Sequence, residues 1–422
     1  MAYKKPDVDF TSSRVTPEGR KSNLSMFMVM LGFTFFSASM WAGQKMAEGL
    51  SFGAFIGALL LGGAILGAYT GALGYIGAKT GLTLDMLAHR SFGRKGSWLP
   101  SAMISFTQIG WFGVGLAMFA LPVAEQLLHI EITKENMPFQ AYILVAIAGL
   151  LMTASAYFGI KSLTIVSYVA VPLVGILGTV AMIKAFQSGD ATLVEQFAKV
   201  NNGQLTVIAG AGMVIGSFVS GGTATPNFAR FSKSAKVGCI VTIVAFFLGN
   251  SLMFFFGASS SVFVTDTRLN NDIFGVMLQL GLFWMAVLVL GLNIWTTNDN
   301  ALYSSGLGLS NIFGWSKKTM VLIAGLIGTV AAVWLYNNFV NWLNVLNCTL
   351  PPIGAILIIS YILNRNDYQS DDVKINVVNW ASVIGVVMGA VVANLLKWGI
   401  ASINGMIVAV ICYLIGYAIK RK

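Results

Sequence analysis

Charged side chains make up only 10% of the 422 residues, where a soluble globular chain carries roughly 25%. That scarcity excludes a chain whose whole surface faces water. Histidine is nearly absent: His89 and His129 both fall between apolar runs, so neither can serve a hydrolase buried within them. Cysteine is scarce too. Cys239, Cys348 and Cys412 stand far apart in apolar stretches, which excludes a disulfide framework and metal-ligand spacing and leaves packing as their role. Asp299 is the lone carboxylate well inside an apolar run, so no acid dyad can form there. The glycines around Gly291 and Gly306 lack the strand, lysine and hydroxyl context of a phosphate loop.

What the chain has in excess is hydrophobic residues, 56% of the total. A bilayer core of about 30 Å takes about 20 apolar residues at ~1.5 Å rise each. Glycine, proline and charge clusters divide the chain into twelve such segments, at 24–46, 52–77, 98–124, 140–159, 163–186, 205–231, 236–260, 281–306, 317–336, 338–363, 376–396 and 400–419. The fold class expected is therefore an all-α membrane protein of about twelve transmembrane helices in a lipid bilayer. The first run ends near Trp41 without a small-residue cleavage site, which predicts a retained helix rather than a signal peptide. Residues 266–279 are more polar and too short to span, and read as a surface loop helix.

The net charge of +10 raises the question of a nucleic-acid partner, but the basic residues sit between the apolar runs and form no interleaved patch. They report topology instead. With the N-terminus inside, only Lys45, Lys134, Lys184, Lys199, Arg268 and Lys397 fall outside, leaving 20 of the 26 basic residues on the cytoplasmic side. Both termini are expected there. The predicted organisation is a cytoplasmic tail over 1–22, helices 1 to 5 over 23–190, helices 6 to 10 over 204–364, and two further helices over 375–422. No obligate protein partner is evident.

Two segments are interrupted halfway by small and hydroxyl residues: Gly32 to Ser39 in helix 1, and Gly216 to Thr223 in helix 6 with Pro226 just after. They lie five helices apart, an odd number, so a repeat of the first five by the second five would be inverted. Paired interruptions of this kind point to a transporter site at a repeat interface; tight helix packing at small residues is the alternative. Broken helices free carbonyl and N–H groups that can hold a cation and a substrate. In helix 8, Asn293, Thr296 and Thr297 share one face, which can approach the first break, although threonines in a span also bond back to the preceding turn. Asp299 is either functional or paired. In helix 3, Gln108 and Trp111 share a face and offer an amide beside a flat ring, with Phe218 able to close the other side of a planar heterocycle. Space filling by Trp111 is the competing account, and spacing does not name the ligand.

The stretches FFSASMW (35–41), GYIGAKTGL (74–82), SFGRKGSWLPS (91–101), GWFGVGLAMFA (110–120), GLNIWTTNDNALYSSGLG (291–308) and LYNNFVNWL (335–343) closely resemble the cytosine permeases of the nucleobase:cation symporter family, over about residues 23–420. The resemblance implies a LeuT-like inverted repeat of five plus five helices with helices 1 and 6 broken, plus two C-terminal helices. It implies cytosine import by sodium symport through alternating access at the bacterial inner membrane, with no enzymatic activity and no organic cofactor. By the same resemblance, sodium is held by backbone oxygens of Gly32, Phe35 and Asn293 and the hydroxyls of Thr296 and Thr297. The base lies between Trp111 and Phe218, with its polar edge toward Gln108, Ser217, Ser220 and backbone groups of Phe36 and Ser37. The alternatives are proton coupling through Asp299, another heterocycle such as uracil, a purine, a hydantoin or thiamine, and, in a different class, a passive channel.

Overall fold

The computed structural model describes residues 9–133, 136–187, 192–263, 273–338, 348–371, 373–396 and 398–421. Lys4, Lys5, Lys134, Arg268, Lys397, Lys422, residues 266–272 and the end of the 335–343 motif therefore lie outside the described residues. The first apolar run forms two helices, α1 (Asn23–Thr34) and α2 (Ser37–Gly49), bent by 53°. Between them Phe35 and Phe36 are extended. Ser22 caps α1, its hydroxyl accepting the N–H of Ser25, and the chain leaves the helix once Phe35 N–H has bonded Leu31 O at 2.9 Å. This is the break expected over Gly32 to Ser39.

After it come α3 (Phe52–Thr80), the short α4 (Leu84–Phe92), α5 (Trp98–Leu128), α6 (Phe139–Tyr157), α7 (Ile160–Gln187) and the eight-residue α8 (Leu193–Val200). The second half holds α9 (Val207–Thr223), the single turn α10 (Pro226–Ala229), then α11 (Ala235–Val244) and α12 (Asn250–Phe263) joined through a π-helical turn. It continues with α13 (Ile273–Gln279), α14 (Phe283–Phe313), α15 (Lys317–Asn337), α16 (Pro351–Leu363), α17 (Arg365–Gln369), α18 (Trp380–Leu395) and α19 (Ala401–Arg421). α13 accounts for the described part of the polar 266–279 segment.

Every one of the twelve apolar segments is helical over much of its described length, but not all are long and apolar enough to cross a membrane. By length and composition seven described helices are, or eight with the bent α1–α2 pair taken as one span. Helices α9, α16 and α18 are apolar but shorter. At 31 residues α14 is long enough, about 46 Å at ~1.5 Å per residue, yet absent from the apolar set because its middle is polar. That polarity is hidden: α14 packs along α5, and Asn293, Thr296, Thr297, Asn298, Asp299 and Asn300 are all buried. Large apolar side chains instead face outward from the bundle, among them Phe139, Leu150, Leu326 and Val330, an apolar perimeter suited to lipid tails.

The second interruption is not where the small residues are. α9 continues unbroken through Ser217 and Ser220 to Thr223, and the chain departs at Ala224 and Thr225, where Pro226 opens α10. Small residues of α9 serve close packing instead: a methyl group on Gly221 would lie 2.7 Å from the Phe33 ring and one on Gly222 2.6 Å from Thr70. The same device seats α2 against α12, where a methyl on Gly43 would come 2.0 Å from Phe254 O.

The predicted polar tail is also packed from Asp9 onward. Asp9 pairs with Lys317 at 2.5 Å, both nearly inaccessible, and accepts the N–H of Ile160 at the start of α7 (3.3 Å). Arg230, fully buried, donates to the carbonyls of Asp9 (2.6 Å) and Phe10 (2.8 Å) and to Tyr303 Oη (3.0 Å). Arg14 donates to the carbonyls of Thr80, Tyr368 and Ser370. The segment thus straps together the α3–α4, α6–α7 and α14–α15 turns, and Arg230 and Lys317 act as structural cations.

Candidate functional site

Helical geometry leaves the last carbonyls of α1 without N–H partners once the chain turns away at Phe35. α14 brings a hydroxyl to them. Thr297 Oγ1 lies 3.3 Å from Phe33 O, 3.3 Å from Phe35 O and 3.5 Å from Asn293 O. A hydroxyl has one proton and satisfies one of the three at a time, so carbonyl oxygens converge here beyond what hydrogen bonding needs. Such a set of neutral oxygens suits a hard monovalent cation.

The sequence-predicted cation residues are placed as follows. Phe35, Asn293 and Thr297 meet directly; Phe33 O is an oxygen that sequence reading missed, because which carbonyls turn inward depends on the bend. Gly32 faces the same seam, its position 3.5 Å from Thr296 Cβ for an added methyl. Thr296 Oγ1 bonds back to Asn293 O (2.9 Å) and Leu292 O (3.3 Å), as a threonine in a span ordinarily does. Asn293 Oδ1 accepts from Ser37 Oγ at 2.8 Å, tying α14 to the first turn of α2.

Beside this cluster is an aromatic one. The rings of Phe36 and Trp111 are 5.5 Å apart edge to face, Phe36 and Phe218 6.3 Å, and Phe33 and Phe218 5.7 Å. All four are buried. Trp111 Nε1 donates to Ser220 Oγ at 2.9 Å, so α5 and α9 are joined through two residues of the predicted site. Gln108, one turn before Trp111, is buried with its Nε2 lacking any hydrogen-bond partner. A buried amide donor without a partner is costly, about 1–3 kcal/mol, and marks a place where a polar ligand edge fits. Phe36, expected to contribute only backbone, touches both Trp111 and Phe218 through its ring.

Ser217 is placed differently from the expectation. Its hydroxyl donates to Val214 O at 2.9 Å and accepts Asn250 Nδ2 at 3.1 Å, so it faces the α11–α12 junction. Asn250 follows the π-helical turn and also accepts Ser39 Oγ at 2.7 Å, linking α2, α9 and α12. An amide in the middle of an otherwise apolar run was the sequence sign of this junction, and π-helical turns gather at functional sites.

Asp299 belongs to another face of α14. Its Oδ1 accepts Ser155 Oγ of α6, which in turn accepts Trp295 Nε1 at 2.7 Å. His89 is remote as well: its Nε2 is 2.7 Å from Asn311 Oδ1, and Asn311 reaches Ser101, which donates to Asp85 at 2.5 Å. Burial lowers the His89 pKa against the opposing Asn311 bond, and burial pushes Asp85 up to about 6 despite its bond from Ser101. These groups brace the end of the bundle.

Long apolar helices around a buried seam, where neutral oxygens and an aromatic-amide cluster meet at a helix break, fit a membrane transport protein. Residues 14–419 match the family of permeases for cytosine/purines, uracil, thiamine, allantoin, and the chain belongs to that family; it is a transporter and not an enzyme. The cytosine permease of Escherichia coli (strain K12) is 46% identical over 410 residues, 97% of this chain and 94% of that protein. Among solved structures, Mhp1, a nucleobase-cation-symport-1 family transporter in a closed conformation with bromovinylhydantoin bound, matches with TM-score 0.78 and 18% identity over 97% of this chain and 94% of its own. A Na+-coupled sialic acid symporter, substrate-bound and outward-open, matches with TM-score 0.70 and 14% identity over 95% and 90%. The fold is theirs.

Proposed function

We propose that the chain imports cytosine with a sodium ion by alternating access in a bacterial inner membrane. The observation that carries this reading is the adjacency of Phe35 and Phe36 at the first break: the carbonyl of one faces Thr297, the ring of the other faces Trp111. A cation at the first cluster and a base at the second are then held by one bend of the backbone. The bend orders only once, so each ligand favours the other. Sodium is held by carbonyl oxygens of Gly32, Phe33, Phe35 and Asn293 with the Thr296 and Thr297 hydroxyls. Cytosine lies against Trp111, Phe36 and Phe218, with its polar edge on Gln108, Ser220 and the first-turn N–H groups of α2. The 46% identity to a cytosine permease supports the substrate. Helices 1 to 5 (23–190) and 6 to 10 (204–364) form the inverted repeat, and 375–422 the two added helices. The tail (1–22) and C-terminus are cytoplasmic; in support, Asp9 and Arg14 bind turns that all carry the cytoplasmic share of the basic residues.

Selectivity is the test of the base site. Cytosine presents a donor at its amino group and an acceptor at the adjacent ring nitrogen, while uracil reverses both. Against a network that holds the Gln108 amide one way, even one buried polar atom left unpaired costs about 1–3 kcal/mol, so uracil is expected to bind roughly 5- to 150-fold more weakly than cytosine. Competition of unlabelled uracil against labelled cytosine in proteoliposomes measures this, and equal competition sinks the assignment.

The bond from Ser155 turns Asp299 toward α6 and away from Thr297. Asp299→Asn, which keeps the shape and one acceptor, is therefore expected to leave the sodium dependence of cytosine binding within about twofold of the parent chain. A sodium requirement abolished by that substitution would move the coupling role to the carboxylate.

A further inference from the structure

Within α7, the residues Leu163, Ser167, Ala170 and Val174 are all buried and recur at three- and four-residue spacing, so they share one face. Three of them need only apolar neighbours. A hydroxyl in such a stripe ordinarily returns its proton to the carbonyl one turn back, as Thr164 does to Ile160 O and Thr179 to Gly175 O on the same helix, both at 2.7 Å. Ser167 Oγ makes no such bond and is buried with no hydrogen-bond partner. It keeps the desolvation cost of a hydroxyl without the compensation its neighbours take.

That hydroxyl is aimed at the first break. A methyl group on Gly32 would lie 2.7 Å from Ser167 Oγ and 3.2 Å from Ser167 Cβ, so the oxygen leads, and the same point is 3.5 Å from Thr296 Cβ. The oxygen therefore lies on the Gly32 side of the contact between α1 and α14, against both of which α7 packs, and Thr296 is next in the chain to Thr297, whose hydroxyl meets the carbonyls of Phe33 and Phe35. Glycine at position 32 keeps the space open, since any side chain there would drive into the hydroxyl.

We infer that Ser167 Oγ is a further ligand of the cation held at the break, supplied from α7; this rests on the cation reading given above. A third helix is then tied to ion occupancy. A serine oxygen suits the role because it adds a dipole without adding a charge, in keeping with the neutral set around it.

The test titrates cytosine binding by the purified full-length chain with sodium at fixed pH, then with lithium. Two variants are used: Ser167→Ala, and Ser167→Cys, which keeps the volume but replaces a hard oxygen by sulfur. Each is expected to raise the half-saturating sodium concentration about ten-fold while cytosine affinity at saturating sodium stays within about twofold. Loss of a ligand is also expected to move the ion preference toward the smaller lithium, since ligand number and cavity size set such selectivity. Unchanged sodium titrations in both variants overturn the inference, and so does a fall in thermal stability with the sodium-to-lithium ratio unmoved. A parent chain whose cytosine binding ignores sodium overturns the cation reading itself, and the inference with it.

Discussion

Trp111→Ala is expected to weaken cytosine binding by at least about ten-fold. A base-aromatic stack contributes about 1–3 kcal/mol, and the substitution also strips the Ser220 hydroxyl of its 2.9 Å donor, disturbing a second group at the polar edge. The first loss falls on the bound state alone, and the second frees a hydroxyl in the unliganded chain as well. Trp111→Phe helps to separate them, keeping a smaller ring face while losing the N–H, and is expected to fall between the parent and the alanine variant. Because truncating a buried Trp can cost about 3–5 kcal/mol of stability, the melting temperature without ligand is measured beside the cytosine isotherm. Parent affinity in a folded Trp111→Ala chain would remove Trp111 from the site.

The second large effect is expected at Thr297. Its hydroxyl is the side-chain oxygen within 3.5 Å of the three carbonyls of Phe33, Phe35 and Asn293. On the proposed sodium site, Thr297→Ala takes away one ligand and leaves those dipoles facing each other, so the half-saturating sodium concentration is expected to rise at least about ten-fold, the worth of an interaction with a charge being about 1.5–3 kcal/mol. Cytosine affinity falls with it at limiting sodium and is restored at saturating sodium, since linkage is reciprocal. Thr297→Ser keeps the oxygen and is expected to stay near the parent. A Thr297→Ala chain that loses cytosine affinity equally at all sodium concentrations would mean that the residue shapes the base pocket.

The helical segments were legible because hydropathy reads the lipid-facing perimeter directly, and the first break because small and hydroxyl residues between Gly32 and Ser39 interrupt an apolar run. The second break was misplaced for a physical reason. Glycine and serine in a span serve either a break or a close approach of helices, and the pattern Gly216 to Thr223 is the same in both cases; contact with Phe33 and Thr70 decides it. The partner of Ser217 was hidden for the same cause, as Asn250 donates to its hydroxyl from another helix. Periodicity put Asn293, Thr296 and Thr297 on one face, and the structure keeps them there, but it is the 53° bend that selects which carbonyls reach Thr297. The charge census could not tell that Arg230 and Lys317 are buried, because both are held by Asp9, through its carbonyl and its carboxylate, from more than 200 residues away in sequence.

The gathered oxygens at the break belong to carbonyls, hydroxyls and an amide, none of which titrates near neutrality, and among the described residues no group of three His, Cys, Asp or Glu side chains gathers that could hold a metal ion. Cytosine binding by the purified chain, measured across sodium concentrations at fixed pH and then across pH at fixed saturating sodium, tests this most directly. The expected result is an affinity that rises steeply with sodium and stays flat between pH 6 and 8 (limits set by the experiment, about one unit either side of neutrality). Indifference to sodium together with a clear titration across that range would contradict it.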